Sequence, residues 1–194
     1  MTVRIHETRL VRQAEGSPSG AETAPAWPDA IYRVLKDAGI RQACYVPDAG
    51  HARLIEELHR DGDIQTTVLT TEEEGVALAA GAWLGGDRAV LLMQSSGVGN
   101  CINMLSLFAS CRFPLLALVT MRGEWAEFNP WQVPMGRATP ITLEAMGVKV
   151  MRVDAAEDVA DTVAAASTLA FDSDQAVAVL LSQRLLGRKK WIGK

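Results

Sequence analysis

The densest chemistry in this chain lies in Thr71-Glu72-Glu73-Glu74-Gly75, directly ahead of the small-residue run Val76-Ala77-Leu78-Ala79-Ala80-Gly81. Carboxylates in the first turn of a helix suit its positive end and can accept free N–H groups, so three glutamates here need no catalytic role. Successive helical residues, however, point about 100° apart. The three therefore cannot all face water while Ala77 and Ala80 pack toward a sheet, and at least one carboxyl is expected in a crevice, where it could hold or move a proton.

Three further segments carry polar groups in the same kind of setting. Gln94-Ser95-Ser96-Gly97-Val98-Gly99-Asn100 follows a buried run and places two glycines at a helix opening. Free backbone N–H groups there could attract an anion, or the segment could simply be a tight turn; it has neither the lysine of a P-loop nor the full dinucleotide-binding spacing. Asp48-Ala49-Gly50-His51 offers an acid and a histidine, which equally suit an N-cap and a first-turn surface group. Arg122 to Gly136 holds Trp125, Phe128 and Trp131, aromatics of the kind enriched where partners or ligands bind. With three histidines in all, one of them His6 near the start of the chain, no metal triad or Ser-His-Asp set is persuasive.

These segments need elements to hold them. Apolar spacing and stop signals predict helices over Pro28–Gly39, Gly50–Arg60, Thr71–Leu84, Gly99–Ser110, Ile141–Met146 and Ala156–Ala170. Strands are expected at Gln42–Val46, Ile64–Thr70, Arg88–Gln94, Pro114–Met121, Lys149–Val153 and Ala176–Ser182, with Arg88–Gln94 and Pro114–Met121 apolar enough to be covered on both faces. Arg122–Pro140 contains three Pro, two Gly and two Trp in nineteen residues without periodicity, and reads as a long loop. The alternation points to an α/β, doubly wound, mainly parallel six-stranded sheet with helices on both faces. In such sheets ligands bind beyond the carboxyl ends of the strands, which is where Asp48, Glu72, Gln94 and Arg122 fall.

Composition narrows the partners. The chain has 194 residues, a formal net charge of −4 and 48% hydrophobic residues, enough for one domain with a real core. Residues 27–186 are expected to form it, with 1–26 a flexible arm and linker and 187–194 a basic tail. No Lys/Arg stripe suggests nucleic acid or a membrane surface, and no apolar stretch reaches the ~18 residues of a spanning helix. Cys44, Cys101 and Cys111 sit in apolar segments without CxxC spacing, which reads as core thiols in a cytoplasmic protein.

Taken in order, Tyr45-Val46-Pro47-Asp48, TEEEGVALAAGAWLGG (Thr71–Gly86), LMQSSGVGN (Leu92–Asn100), Arg122-Gly123 and Gln132-Val133-Pro134-Met135-Gly136 resemble the pyrimidine-binding (Pyr) domain of thiamine-diphosphate-dependent enzymes. The resemblance spans roughly 28–186 and is strongest to sulfopyruvate decarboxylase α subunits, with phosphonopyruvate decarboxylases next. It implies that Glu72, nine residues before Gly81, is the catalytic carboxyl that exchanges a proton with the cofactor's pyrimidine N1′. The family's usual preceding His is Thr71 here. By the same transfer, Asp48 assists catalysis on the substrate side with His51 nearby, and Gln94, Ser95, Ser96 and Gly97 border the aminopyrimidine. Arg122 would face an anionic group of the substrate, a small 2-keto acid such as 3-sulfopyruvate.

The family's Gly-Asp-Gly…Asn motif for Mg²⁺ and diphosphate does not occur in the chain; Gly86-Asp87-Arg88 fails at its third residue. The resemblance therefore implies a β subunit that holds the diphosphate and the metal, in a hetero-oligomer that binds neither nucleic acid nor membrane. Two other readings stay open: a subunit acting on phosphonopyruvate or another short anionic 2-keto acid, and a non-catalytic scaffold with the same fold.

Overall fold

The computed structural model describes residues 26–188, so the flexible arm expected over 1–26 and the basic tail expected over 187–194 lie, apart from residues 26, 187 and 188, outside the described residues. Its elements run α1 (Trp27–Asp37), β1 (Ile40–Tyr45), α2 (Ala52–Arg60), β2 (Gln65–Val68), α3 (Glu72–Leu84), β3 (Arg88–Gln94), α4 (Ser95–Cys101), α5 (Ser106–Cys111), β4 (Leu115–Thr120), α6 (Gln132–Ala145), β5 (Lys149–Val153), α7 (Val159–Phe171), β6 (Ala176–Leu181) and α8 (Gln183–Leu186). The six strands form one sheet in the order β2-β1-β3-β4-β6-β5, every pair parallel. The expected architecture is present, and the sheet is wholly parallel.

Each face of the sheet carries its own core. Ile31 and Leu35 of α1, Leu54 and Leu58 of α2, and Val159, Val163 and Ala166 of α7 cover one side, against Val90, Leu92, Leu116 and Leu118. Val76 and Ala79 of α3, Val98 of α4, Phe108 of α5 and Leu143 of α6 cover the other, against Leu91, Met93, Ala117 and Val119. Strand residues alternate between the two layers, so β3 and β4 are buried on both faces, as their continuous apolar runs predicted. Chain direction across the sheet reverses at β1 and β3, the place where such folds open a crevice beyond the strand ends.

Three expectations need correction. Arg122–Pro140 is not one loop, because α6 begins at Gln132. Pro134 lies in its first turn, where the N–H groups lack helical partners anyway. Pro140 sits inside the helix and removes a donor, which is offset by packing of Gly136, Thr139 and Leu143 at helical spacing. The helix expected over Gly99–Ser110 is two helices, α4 and α5, separated by residues 102–105. Cys111 is exposed, whereas Cys44 and Cys101 are core residues whose thiols burial pushes up to about 12.

Candidate active site

Crevice chemistry begins with the three glutamates, which α3 sorts by rotation. Glu72, the first helical residue, turns inward and is 8% exposed. Glu73 and Glu74 face outward, and Glu74 accepts the Thr70 N–H at 2.8 Å, which secures the helix start. The inward set on the rest of α3 is Gly75, Val76, Ala79, Ala80 and Ala82; Ala77, expected inward, is exposed.

Glu72 lies directly over Gly97 of α4. A Cβ on Gly97 would stand 2.3 Å from Glu72 Oε1 and 2.4 Å from its carboxyl carbon, so only glycine leaves the carboxylate its place. Asn100 Nδ2 donates to Glu72 Oε2 at 2.8 Å, while Oε1 makes no hydrogen bond to the described residues. One carboxyl oxygen is thus fixed and the other is presented.

A second carboxylate is held at the ends of β3 and β4. Thr120 Oγ1, at the end of β4, donates to Asp48 Oδ2 at 2.5 Å, and Gln94 Nε2, at the end of β3, donates to Oδ1 at 3.0 Å. Ser96 Oγ donates to Gln94 Oε1 at 2.9 Å, which fixes the orientation of that amide. Burial would raise the Asp48 carboxyl, but the Thr120 hydroxyl, the neighbouring His51, the Gly50 N–H and the Gln94 amide together hold the group below its usual range. The segment Gln94–Asn100 therefore touches both acids, Asp48 through Gln94 and Glu72 through Gly97 and Asn100.

His51 and Ser95 lie deeper than a ligand-facing role requires. His51 is 1% exposed, its Nε2 bonds the Leu118 carbonyl at 3.1 Å, and its Nδ1 has no partner among the described residues. Burial lowers its proton affinity, so the ring is a neutral wall behind Asp48 and not a first-turn surface group. Ser95 is fully buried; its hydroxyl accepts the Arg122 N–H at 3.1 Å and its carbonyl accepts from Thr139. It pins the end of β3 to the loop after β4.

Arg122 reaches the site already engaged. Its Nε and Nη2 bind Glu127 Oε2 and Oε1 at 2.7 and 2.6 Å, with both side chains almost wholly buried. Glu127 also accepts from the Gly123 and Asn129 N–H groups and from Gln183 Nε2, and the Arg122 pairing foremost holds its carboxyl down at about 2. Arg122 nonetheless lines a cleft of about 320 Å³ with Asp48, Gly50, Thr120, Arg53 and Trp27.

Sequence reasoning missed four contributors: Asn100, Thr120, Glu127 and Gln183. Asn100 and Thr120 stood inside or at the end of segments already singled out. Glu127 also lay in a segment already singled out, Arg122–Gly136, but its pairing there followed no period, and Gln183 carried no signal because its partners come from that distant loop.

Residues 27–127 match the family described as thiamine pyrophosphate enzyme, N-terminal TPP binding domain. The chain belongs to this family of thiamine-diphosphate-dependent enzymes. Among relatives it is 34% identical over 154 residues to the sulfopyruvate decarboxylase subunit alpha of Methanococcus maripaludis, a match covering 79% of this chain and 92% of that one. It is 36% identical over 107 residues to the phosphonopyruvate decarboxylase of Streptomyces viridochromogenes, covering 54% of this chain and 27% of the longer one. The 2-oxoglutarate:ferredoxin oxidoreductase of Magnetococcus marinus shares the fold, with a TM-score of 0.65 at 15% identity over 88% of this chain and 34% of that chain.

The residues fit one end of that cofactor. A ring nitrogen needs a carboxyl held in a fixed place, and Glu72 is so held beside Gly97, with Oε1 making no hydrogen bond to the described residues. For the diphosphate and its cation, the described residues contain no cluster of three or more His, Cys, Asp or Glu able to hold a metal.

Proposed function

We propose that the chain is the α subunit of a heteromeric thiamine-diphosphate-dependent 2-keto acid decarboxylase, converting 3-sulfopyruvate and a proton to sulfoacetaldehyde and CO₂. The observation that carries this reading is Glu72, a carboxylate seated over Gly97 at the carboxyl end of a parallel sheet with one oxygen anchored and one free. Bound thiamine diphosphate supplies the electron sink for loss of CO₂. Glu72 holds and exchanges a proton at the pyrimidine nitrogen, and the Gln94–Gly97 segment borders the ring through Gln94 and Ser96. Asp48, ionised and fixed by Thr120 and Gln94, faces the substrate and moves protons there.

Mg²⁺ and the diphosphate fall to a β subunit. The relative from Methanococcus maripaludis carries the word subunit in its name, and the Streptomyces decarboxylase is a far longer chain of which this one spans about a quarter. Both observations support a second polypeptide that completes the site.

The test is to purify the chain alone and with a candidate β subunit, add thiamine diphosphate and Mg²⁺, and follow CO₂ from sulfopyruvate and phosphonopyruvate. Release from sulfopyruvate only when both chains are present is expected. A stable complex that binds cofactor but turns over neither substrate would refute the substrate class, and a chain that never supports cofactor binding would favour a scaffold. Phosphonopyruvate is the second reading, supported by the Streptomyces relative.

A further inference from the structure

The cleft beside Asp48 has an unexpected charge count. Among the described residues its lining includes three ionisable ones, Asp48, Arg53 and Arg122. Arg53 binds Asp29 through two 2.6 Å bonds, and Arg122 binds Glu127 through bonds of 2.6 and 2.7 Å. Both guanidinium charges are therefore matched one for one, and Asp48 leaves the cluster with a net charge of −1. Arg122 still keeps donors for a ligand, because Nη1 makes no hydrogen bond to the described residues and Glu127 engages only the Nε–Nη2 edge.

Such a site offers directed hydrogen bonds without net positive charge. Sulfonate and phosphonate present similar arrays of three oxygens, but a fully ionised phosphonate carries one more negative charge. We propose that the Arg122–Glu127 pair is a charge filter that makes this chain discriminate against phosphonate in favour of sulfonate substrates. The inference rests on the decarboxylase reading above and deepens it. Glu127 is a positioning residue here: it touches no substrate, sets the Arg122 fork and cancels its charge. An unpaired Arg122 would attract the additional charge of a phosphonate, and an unpaired Glu127 would repel it.

The experiment compares kcat/KM for sulfopyruvate and phosphonopyruvate in the reconstituted complex, for wild type, Glu127→Gln and Arg122→Gln. The first variant removes a negative charge, and the ratio is expected to move toward phosphonopyruvate by about tenfold. The second removes a positive charge, and the ratio is expected to move toward sulfopyruvate by about as much. A purely structural role would lower both substrates together and leave the ratio still. Thermal melts establish which variants fold, and either variant alone decides the sign. A ratio unmoved in a folded variant, or shifts of the same sign in both, overturns the filter while leaving the decarboxylase reading intact. Wild-type turnover of neither substrate overturns that reading and the filter with it.

Discussion

Glu72, Glu73 and Glu74 have the same functional group, and what separates them is about 100° of helix rotation per residue. Only Glu72 turns inward, and there its place depends on the missing side chain of Gly97. Gly97→Ala should push the carboxylate aside and lower turnover of the reconstituted complex by about 10²-fold, the usual effect of an ångström-scale misplacement. Unchanged kcat would show that the carboxylate need not sit there. The Arg122–Glu127 pair makes a second residue-scale prediction. Glu127 is depressed from 4.5 to about 2, so its stabilisation is complete above about pH 4.5 and is lost as pH falls through about 2. The melting-temperature gap between wild type and Glu127→Gln should accordingly be full at pH 7 and shrink across that window. A gap independent of pH would contradict it. Helix rotation made one inward glutamate legible in the sequence, and the family resemblance alone pointed to Glu72 as that one. The burial of His51 and the pairing of Arg122 were not, since both depend on contacts with β4 and with a loop of no fixed period.

At the level of elements, the buried strand Arg88–Gln94 was the easiest to read and matches to the residue, as does the half-exposed edge strand Lys149–Val153. Strands covered on both faces must be apolar throughout, and nothing else in the chain looks like that. Helix α6 was obscured by Pro134 and Pro140, whose local preference is overruled by tertiary packing of its inner face. The loop before α6 is tied to the body by Gln183, whose amide oxygen accepts the Glu124 and Trp125 N–H groups at 3.0 Å and whose amide nitrogen donates to Glu127 at 2.9 Å. Gly123, at φ 76°, turns this loop so tightly that a Cβ would stand 2.3 Å from the Gln132 carbonyl oxygen. Gly123→Ala should cost more than ~2 kcal/mol, through the left-handed backbone and the clash together, measured by denaturant unfolding. A loss within ~0.5 kcal/mol, the range of ordinary surface changes, would mean the loop is not so constrained.

The molecule as a whole presents an aromatic edge beside its crevice. Trp131 is 83% exposed and, with Pro130, Pro134, Met135 and Ala138, lines an apolar concavity of about 660 Å³. Trp125 and Phe128 stand exposed on the same loop, and Met135 Sδ lies 3.3 Å from where a side chain on Gly99 would begin, so the surface adjoins α4. A partner subunit that completes the site would cover this edge, and Trp131→Ala should weaken the α–β complex at least tenfold by titration calorimetry. Unaltered affinity would place the contact elsewhere.

The central claim, that Glu72 is the carboxyl on which this enzyme's chemistry depends, is tested most directly by Glu72→Gln. Both wild-type and variant chains are assembled with the β subunit, thiamine diphosphate and Mg²⁺, and CO₂ release from sulfopyruvate is followed. The expected result is an intact complex whose turnover is lower by about 10²- to 10⁴-fold, the range of a lost acid–base group. Turnover near that of wild type in the variant complex would contradict it.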